Sequence, residues 1–249
     1  MSLLQNTMAK SGTANFYNGV ATQSLRLDDG SSAYLNRTPS SAGNRRTWTW
    51  SGWVKRGLIS SSTTCNIFSG GTGTTAGSGS NVRFQIYQDK LYLGLDNTSG
   101  GSVLSVALLR DPSAWYHIVL KFDTTQSTAS NRIIFYINGE QVTSFTGTPT
   151  YPTQNRELGV NYTEVHHIGR DSLGTTERWD GYLSEVNFID GLALTPTSFG
   201  ETKNGVWIPI NTSGLTFGTN GFRLKFDQVG VGTASTSTIG ADTSGNTNH

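Results

Sequence analysis

The chain has 249 residues, 35% hydrophobic and 10% aromatic, with 14% charged side chains and a net charge of +1. That length and apolar content supply a core without covalent staples and exclude wholesale disorder. The balanced charge, with no basic block, excludes the footprint of a nucleic-acid binder. No run approaches the roughly 18 apolar residues of a membrane span, and the lone Cys65 excludes an internal disulfide.

Residues 1–10 have no charged-then-apolar signal architecture, so production without classical secretion is expected. Charged residues fall well below the average of about 25%, and Gly, Ser, Thr and Asn fill the gap. From there the dominant pattern is period-two alternation broken by turn residues, which predicts strands. Residues 47–55 form the first strong one. Trp48 and Trp50 share a face, suited to the space of about 10 Å between packed sheets, with Trp53 on the other face. A strand around 64–68 holds Cys65 as a small buried residue. Residues 69–80 contain only Gly, Ser, Thr and Ala and are expected to form a mobile surface loop.

Val82, Phe84 and Ile86 alternate with Arg83, Gln85 and Tyr87, and a short break at 88–90 leads into a return strand at 91–95. Residues 115–122 are apolar on both faces and predict a central strand. Residues 133–137 are the strongest strand, followed by Asn138-Gly139, whose tolerance of positive φ suits a type I′ hairpin turn. Residues 141–145 are the expected return. Further strands are predicted at 164–169, 179–189 and 222–227, and 147–161 reads as a long connection. Residues 229–249 are polar and read as a flexible tail. Many short strands at this spacing make an all-β, antiparallel, jelly-roll-like sandwich.

The residues carry little reactive chemistry. A retaining glycosidase needs two carboxyls about 5–5.5 Å apart, and no glutamate has an acidic neighbour two residues away on a strand face. Asp180 and Glu185 are five positions apart, an odd spacing that places them on opposite faces of a strand. His166 and His167 point to opposite faces as well, so one is expected buried and one exposed, with no shared metal. No Gly-x-Ser-x-Gly elbow or Walker-type phosphate loop is present. The expectation is a protein that binds and does not catalyse.

Several segments resemble the laminin-G-like, concanavalin A-like sandwich superfamily. They are residues 24–30 and Ala33-Tyr34-Leu35, the strand 47–55, Trp115-Tyr116-His117-Ile118-Val119-Leu120, Phe135-Tyr136-Ile137-Asn138-Gly139, and Ile168-Gly169 followed by Trp179-Asp180-Gly181-Tyr182-Leu183-Ser184-Glu185-Val186. They run in the family's order over residues 24–195. A narrower resemblance lies in residues 1–7, 33–50, 205–209 and 220–226, which look like laminin-G-like virion proteins of tailed bacteriophages. It implies a tail fibre, head fibre or capsid decoration protein, made in the host bacterial cytoplasm and assembled into the virion. Its implied partners are other virion proteins, further copies of itself and host cell-surface glycans, with neither nucleic acid nor membrane insertion. A purely structural cement protein and a polysaccharide depolymerase are the alternatives.

The expected organisation is an N-terminal arm or anchor (1–23), a sandwich (24–227, with 196–227 as an extension) and a tail (228–249). No cofactor is expected. Calcium is the metal to weigh, because Asp89 and Asp171 sit where acids of pentraxin-like relatives occur. Arg170 and Ser172 stand where further ligands would help, so the set is incomplete. For glycan stacking, Tyr151, Tyr162 and Trp207 are the aromatics least tied to strand patterns; covering a hydrophobic edge or a subunit contact is the competing role. Leu3, Leu4, Phe16, Tyr17, Phe199, Val206, Trp207 and Ile208, outside the matching motifs, mark an interface unless they fold back over the sandwich.

Overall fold

A computed structural model describes residues 18–60, 62–73, 80–95, 101–174, 176–233 and 235–249. Fifteen strands occur among them: β1 (Leu25–Leu27), β2 (Leu35–Arg37), β3 (Thr47–Arg56), β4 (Thr64–Gly70), β5 (Val82–Tyr87), β6 (Lys90–Leu95), β7 (Ser102–Leu108), β8 (Tyr116–Asp123), β9 (Ile133–Ile137), β10 (Glu140–Gln141), β11 (His166–Ile168), β12 (Gly181–Asp190), β13 (Gly200–Lys203), β14 (Val206–Pro209) and β15 (Phe222–Leu224). The first sheet runs β1-β12-β3-β8-β9-β10, with β15 also on β12, and the second runs β2-β11-β4-β5-β6-β7. Every strand pair within the two sheets is antiparallel. The two form the sandwich that the alternation predicts.

Trp48 and Trp50 fill the space between the sheets. The Trp48 ring stacks on Phe122 at 4.7 Å and meets Phe68 edge-on at 6.5 Å, while Trp50 meets Phe84 at 5.5 Å. β8 is central, between β3 and β9, and its apolar residues face two cores. Ile118, Leu120 and Phe122 enter the main core, whereas Val119 joins Ile189, Phe199 and Phe217 on the opposite side. The hairpin β13–β14 and the 3₁₀ turn Pro196–Ser198 belong to this covering layer. Phe199, Trp207 and Ile208, expected at an interface, therefore fold back over the outer face of the first sheet. Val206 stays exposed. Leu3, Leu4, Phe16 and Tyr17 lie outside the described residues.

Three other expectations need correction. The stretch 69–80 is not a loop throughout: Ser69 and Gly70 end β4, both buried, and Gly73 bridges to Ser80, while 74–79 lie outside the described residues. After Asn138-Gly139 the return strand is only two residues long. The chain then crosses to the second sheet, where Phe145 pairs with Ser105 and Thr150 with Ser102. That crossing covers β7, an edge strand the sequence reading did not assign. Finally, the segment expected as a tail is tied down from Thr238 onward. Ile239 packs on the core, Asp242 bridges to Leu224, and Asn248 donates to the carbonyls of Thr219 and Gly221. Asparagine and aspartate side chains supply partners for exposed backbone there, so a polar segment docks without a large apolar face.

Candidate functional site: the outer face of the second sheet

Core residues Val82, Phe84 and Ile86 of β5 point inward, so Arg83, Gln85 and Tyr87 stand on the outer face of the second sheet. The register extends this face sideways. Asn66 of β4 lies opposite Gln85, Gln85 opposite Tyr92 of β6, and Tyr92 opposite Leu104 of β7. One row toward the other end, Ser69 lies opposite Arg83 and Arg83 opposite Gly94. Gly94 is needed there, because the Tyr92 ring leans across it and a Cβ would come within 2.7 Å of the ring. Tyr87 and Tyr92 thus stand side by side, ring centroids 5.7 Å apart, with Tyr87 39% exposed.

After β11, Gly169 at φ +86° turns the chain outward, and residues 170–174 and 176–178 lie against this face. Ser69 donates its hydroxyl to the carbonyl of Arg170 at 2.8 Å, and Gln85 Nε2 donates to Glu177 Oε2 at 2.5 Å. Asn66 lies on β4, between β11 and β5. It is fully buried, yet neither its Nδ2 nor its Oδ1 has a hydrogen-bond partner. The buried Nε atoms of Arg83 and Arg178 and the Oδ1 of Asn81 are also without partners. A buried amide left unpaired costs about 1–3 kcal/mol, so these atoms call for an explanation; Trp48, Trp50, Arg56, Asn161 and Trp179 carry unpartnered buried atoms elsewhere in the fold.

The residues singled out from sequence lie elsewhere. Asp89, at φ +62° in the β5–β6 turn, accepts from Arg56 Nη1 and Arg110 Nε, both at 2.8 Å. Burial raises its pKa, but the two arginines outweigh burial and hold the carboxyl below the usual carboxylate range. Asp171 accepts from Asn81 Nδ2 at 3.3 Å, beyond the opposite end of β5 from Asp89. The two aspartates expected as partial calcium ligands are therefore not brought together, and Asp89 is already neutralised.

Tyr151 is half-buried against the core, and burial pushes its phenol pKa up. Tyr162 has the Arg45 guanidinium 4.4 Å above its ring. Trp207 stacks on His117 at 5.9 Å and donates its indole N–H to His117 Nδ1 at 2.9 Å. That bond assigns the neutral His117 proton to Nε2, which donates to Ser51 Oγ at 2.9 Å. Each candidate stacking ring already has an intramolecular partner. His166 and His167 do point to opposite faces, but both are buried, contrary to the one-in, one-out expectation. His167 is covered by Tyr34 at 5.4 Å and by Ser172, whose Oγ lies 3.2 Å from Nδ1.

Sequence reasoning passed over the outer-face residues, although the alternation at 82–87 already named Arg83, Gln85 and Tyr87 as one face. It had no means of showing that Asn66 and Tyr92 share that face, because cross-strand register was not yet known.

Two further features complete the survey. Asp28, Asp29 and Asp180 place carboxylate oxygens within 4.8 Å of one another. Burial first, then the charge of Asp29, pushes the Asp180 carboxyl above its ordinary value. Calcium would take several such oxygens, but Arg26 Nη2 already lies 3.9 Å from Asp28 and 3.5 Å from Asp180. At the open edge between β2–β11 and β15 is a cavity of about 430 Å³ with Leu35, Phe68, Ile168, Phe222 and Leu224 among its lining residues. Among the described residues no helix is long and apolar enough to cross a membrane.

Comparison with known proteins places this geometry in context. No curated protein matches the chain. Among solved structures, a heptameric SAP-like pentraxin from Limulus polyphemus is 19% identical, with a TM-score of 0.43 over 71% of this chain and 75% of that one. Mouse laminin α1 domains LG4-5 are 12% identical, with a TM-score of 0.46 over 72% of this chain and 44% of that one. The CBM40 of Ruminococcus gnavus IT-sialidase, bound to α2,3-sialyllactose, is 14% identical, with a TM-score of 0.40 over 61% and 88%. The family model described as the concanavalin A-like lectin/glucanases superfamily, a laminin-G type, matches residues 29–198, β2 through the turn after β12, and the chain belongs to that family.

Proposed function

We propose that the protein is a non-enzymatic surface component of a tailed-bacteriophage virion that attaches to host cell-surface glycans through the outer face of its second sheet. The observation that carries the glycan reading is the pairing of two adjacent exposed-edge tyrosines with an amide floor. Tyr87 and Tyr92 offer ring faces for the apolar side of a sugar, and on the same sheet face lie the buried amides of Gln85, held by Glu177, and of the unpartnered Asn66. Sites of this kind combine aromatic surface with a few placed polar groups. The virion setting rests on the resemblance of residues 1–7, 33–50, 205–209 and 220–226 to phage proteins. In this reading residues 1–23 are the anchor to other virion proteins, and the sandwich is displayed in many copies.

The experiment is a binding screen of purified protein against host-surface polysaccharides, with reducing-sugar release measured in parallel. Binding without release, weakened at least tenfold by Tyr92→Ala (about 1.4 kcal/mol), is expected. Silence toward every glycan would favour a purely structural cement protein. The depolymerase alternative draws on the Asp28, Asp29 and Asp180 cluster, whose spacing is short enough for a carboxyl pair. Sugar release abolished by Asp180→Asn would establish it.

A further inference from the structure

We propose that the outer face of the second sheet selects glycans that carry a carboxylate, with the guanidinium groups of Arg83 and Arg178 as the clamp. This rests on the glycan-binding reading of that face and names its ligand class.

Elsewhere Arg132, Arg56, Arg110, Arg223 and Arg46 each have an acid or a carbonyl to hold, although Arg56 also leaves its Nε and Nη2 buried without a partner. Arg132 donates to three carbonyls, those of Gln126, Ser127 and Pro152. Arg56 and Arg110 hold Asp89, Arg223 holds Glu185, and Arg46 holds Glu157. Arg83 and Arg178 differ. Among the described residues neither enters an ion pair, and the Nε of each is buried without a hydrogen-bond partner.

Their placement is equally unfavourable without an anion. Arg178 lies directly opposite Arg170 in an antiparallel bridge, a like-charge pairing that destabilises a sheet. Arg170 escapes by lying over the Tyr34 ring at 4.8 Å and donating Nε to the Gly174 carbonyl at 3.1 Å. Among the described residues Arg178 has no such outlet. The Arg170 carbonyl is hydrogen-bonded to Ser69, and Ser69 is the direct cross-strand neighbour of Arg83, so the two unpaired guanidinium groups belong to one patch. The nearby acids are engaged: Glu177 accepts from Gln85, and Asp171 from Asn81 and Leu173.

A planar carboxylate is the group a guanidinium fork binds in a bidentate manner. The tyrosine pair beside it accounts for a sugar ring rather than an isolated ion.

The test uses the full chain against acidic bacterial polysaccharides, the same polysaccharides after carboxyl reduction, and neutral polysaccharides. Binding of the acidic forms is expected to fall at least tenfold on carboxyl reduction, to weaken as salt is raised, and to fall at least tenfold in Arg83→Gln and in Arg178→Gln. The urea midpoints of both variants are expected to stay at or above that of the parent, because neither guanidinium has a structural partner to lose. Equal binding of acidic, reduced and neutral forms, or unchanged binding by both variants, would overturn the carboxylate proposal and leave glycan attachment standing. Loss of binding accompanied by a lowered midpoint would also overturn it, assigning the arginines to the fold. Failure to bind any polysaccharide would remove both readings.

Discussion

Asp190 and Asn66 are both buried polar residues on strands of the same sandwich, and their surroundings are opposite. At Asp190, 6% exposed, Oδ1 accepts from the backbone N–H of Asn44 at 2.7 Å and from Asn161 Nδ2 at 3.0 Å, while Oδ2 accepts from the backbone N–H of Asn220 at 3.0 Å. Asn161 also donates to the Asn44 carbonyl, and Asn220 donates to that of Ser41. Gly43 passes so close that a Cβ there would sit 2.3 Å from the aspartate oxygen. This knot ties the chain before β3, the end of β12 and the approach to β15 into one network in which both carboxylate oxygens of Asp190 are paired and only Asn161 Oδ1 is left without a partner. On the outer face of the second sheet, by contrast, both amide atoms of Asn66 and the Nε of Arg83 and of Arg178 are buried without partners. A buried polar group paired within the chain builds the fold, whereas one left unpaired costs stability.

The sharpest way to break this comparison is to remove the centre of the knot. Asp190→Ala deletes three hydrogen bonds to a charged acceptor, each worth about 1.5–3 kcal/mol and not fully additive. A loss of about 3–5 kcal/mol is expected, read as a lowered urea midpoint at unchanged slope. A loss below about 1 kcal/mol would show that the network is decoration.

Acid should loosen the same region. His166 Nε2 accepts the Asn161 N–H at 3.0 Å, and its Nδ1–H donates to the Glu164 carbonyl at 2.9 Å, so both nitrogens are engaged only in the neutral ring. Burial, joined by the charges of Arg37 and His167, outweighs the Glu164 contact and pushes the His166 pKa down to about 4. With the folded pKa depressed, the unfolded chain takes up the proton first as pH falls. Stability is therefore full above about pH 6.5 and declines toward pH 4, by about 3 kcal/mol for this group. His117, pushed down to about 3 by burial, extends the decline. Urea midpoints measured from pH 7 to pH 4 check this. His166→Gln should flatten the slope, and an unchanged slope would relocate the effect.

Much of the core was legible in sequence, and neither the Asp190 knot nor the outer face was. Trp48 and Trp50, two residues apart, announced a shared inward face, and Asn138-Gly139 announced a turn, because both signals are local. Asn66 carried no such signal: it is one asparagine in a Ser/Thr/Asn-rich stretch, and its company with Gln85 and Tyr92 depends on register across three strands. β4 also bulges between Asn66 and Phe68, so counting alternation along the strand from either end gives conflicting faces. The contacts of the aromatics chosen from sequence were hidden for a related reason. Trp207 looked unattached to a strand, but it serves as the lid on His117, a contact 90 residues away in sequence.

The smallest expected effect tests the other side of the comparison. Asn66→Leu replaces a fully buried amide, neither of whose polar atoms is paired, with an apolar side chain of similar size. If the unfolded chain hydrates that amide and the folded chain gives it nothing, the substitution removes a desolvation cost without removing a hydrogen bond. The urea midpoint should then hold or rise by up to about 1 kcal/mol, opposite in sign to Asp190→Ala. The same variant should weaken glycan binding, since Asn66 shares a sheet face and a cross-strand row with Gln85 and Tyr92. Hydrogen exchange of the backbone around Gln85 gives a local check: protection should not fall in the variant. A destabilisation of 2 kcal/mol or more, on the order of losing a buried hydrogen bond with its partner left behind, would mean that Asn66 is held by the fold after all. The polar floor would then belong with the Asp190 knot, not with a binding surface.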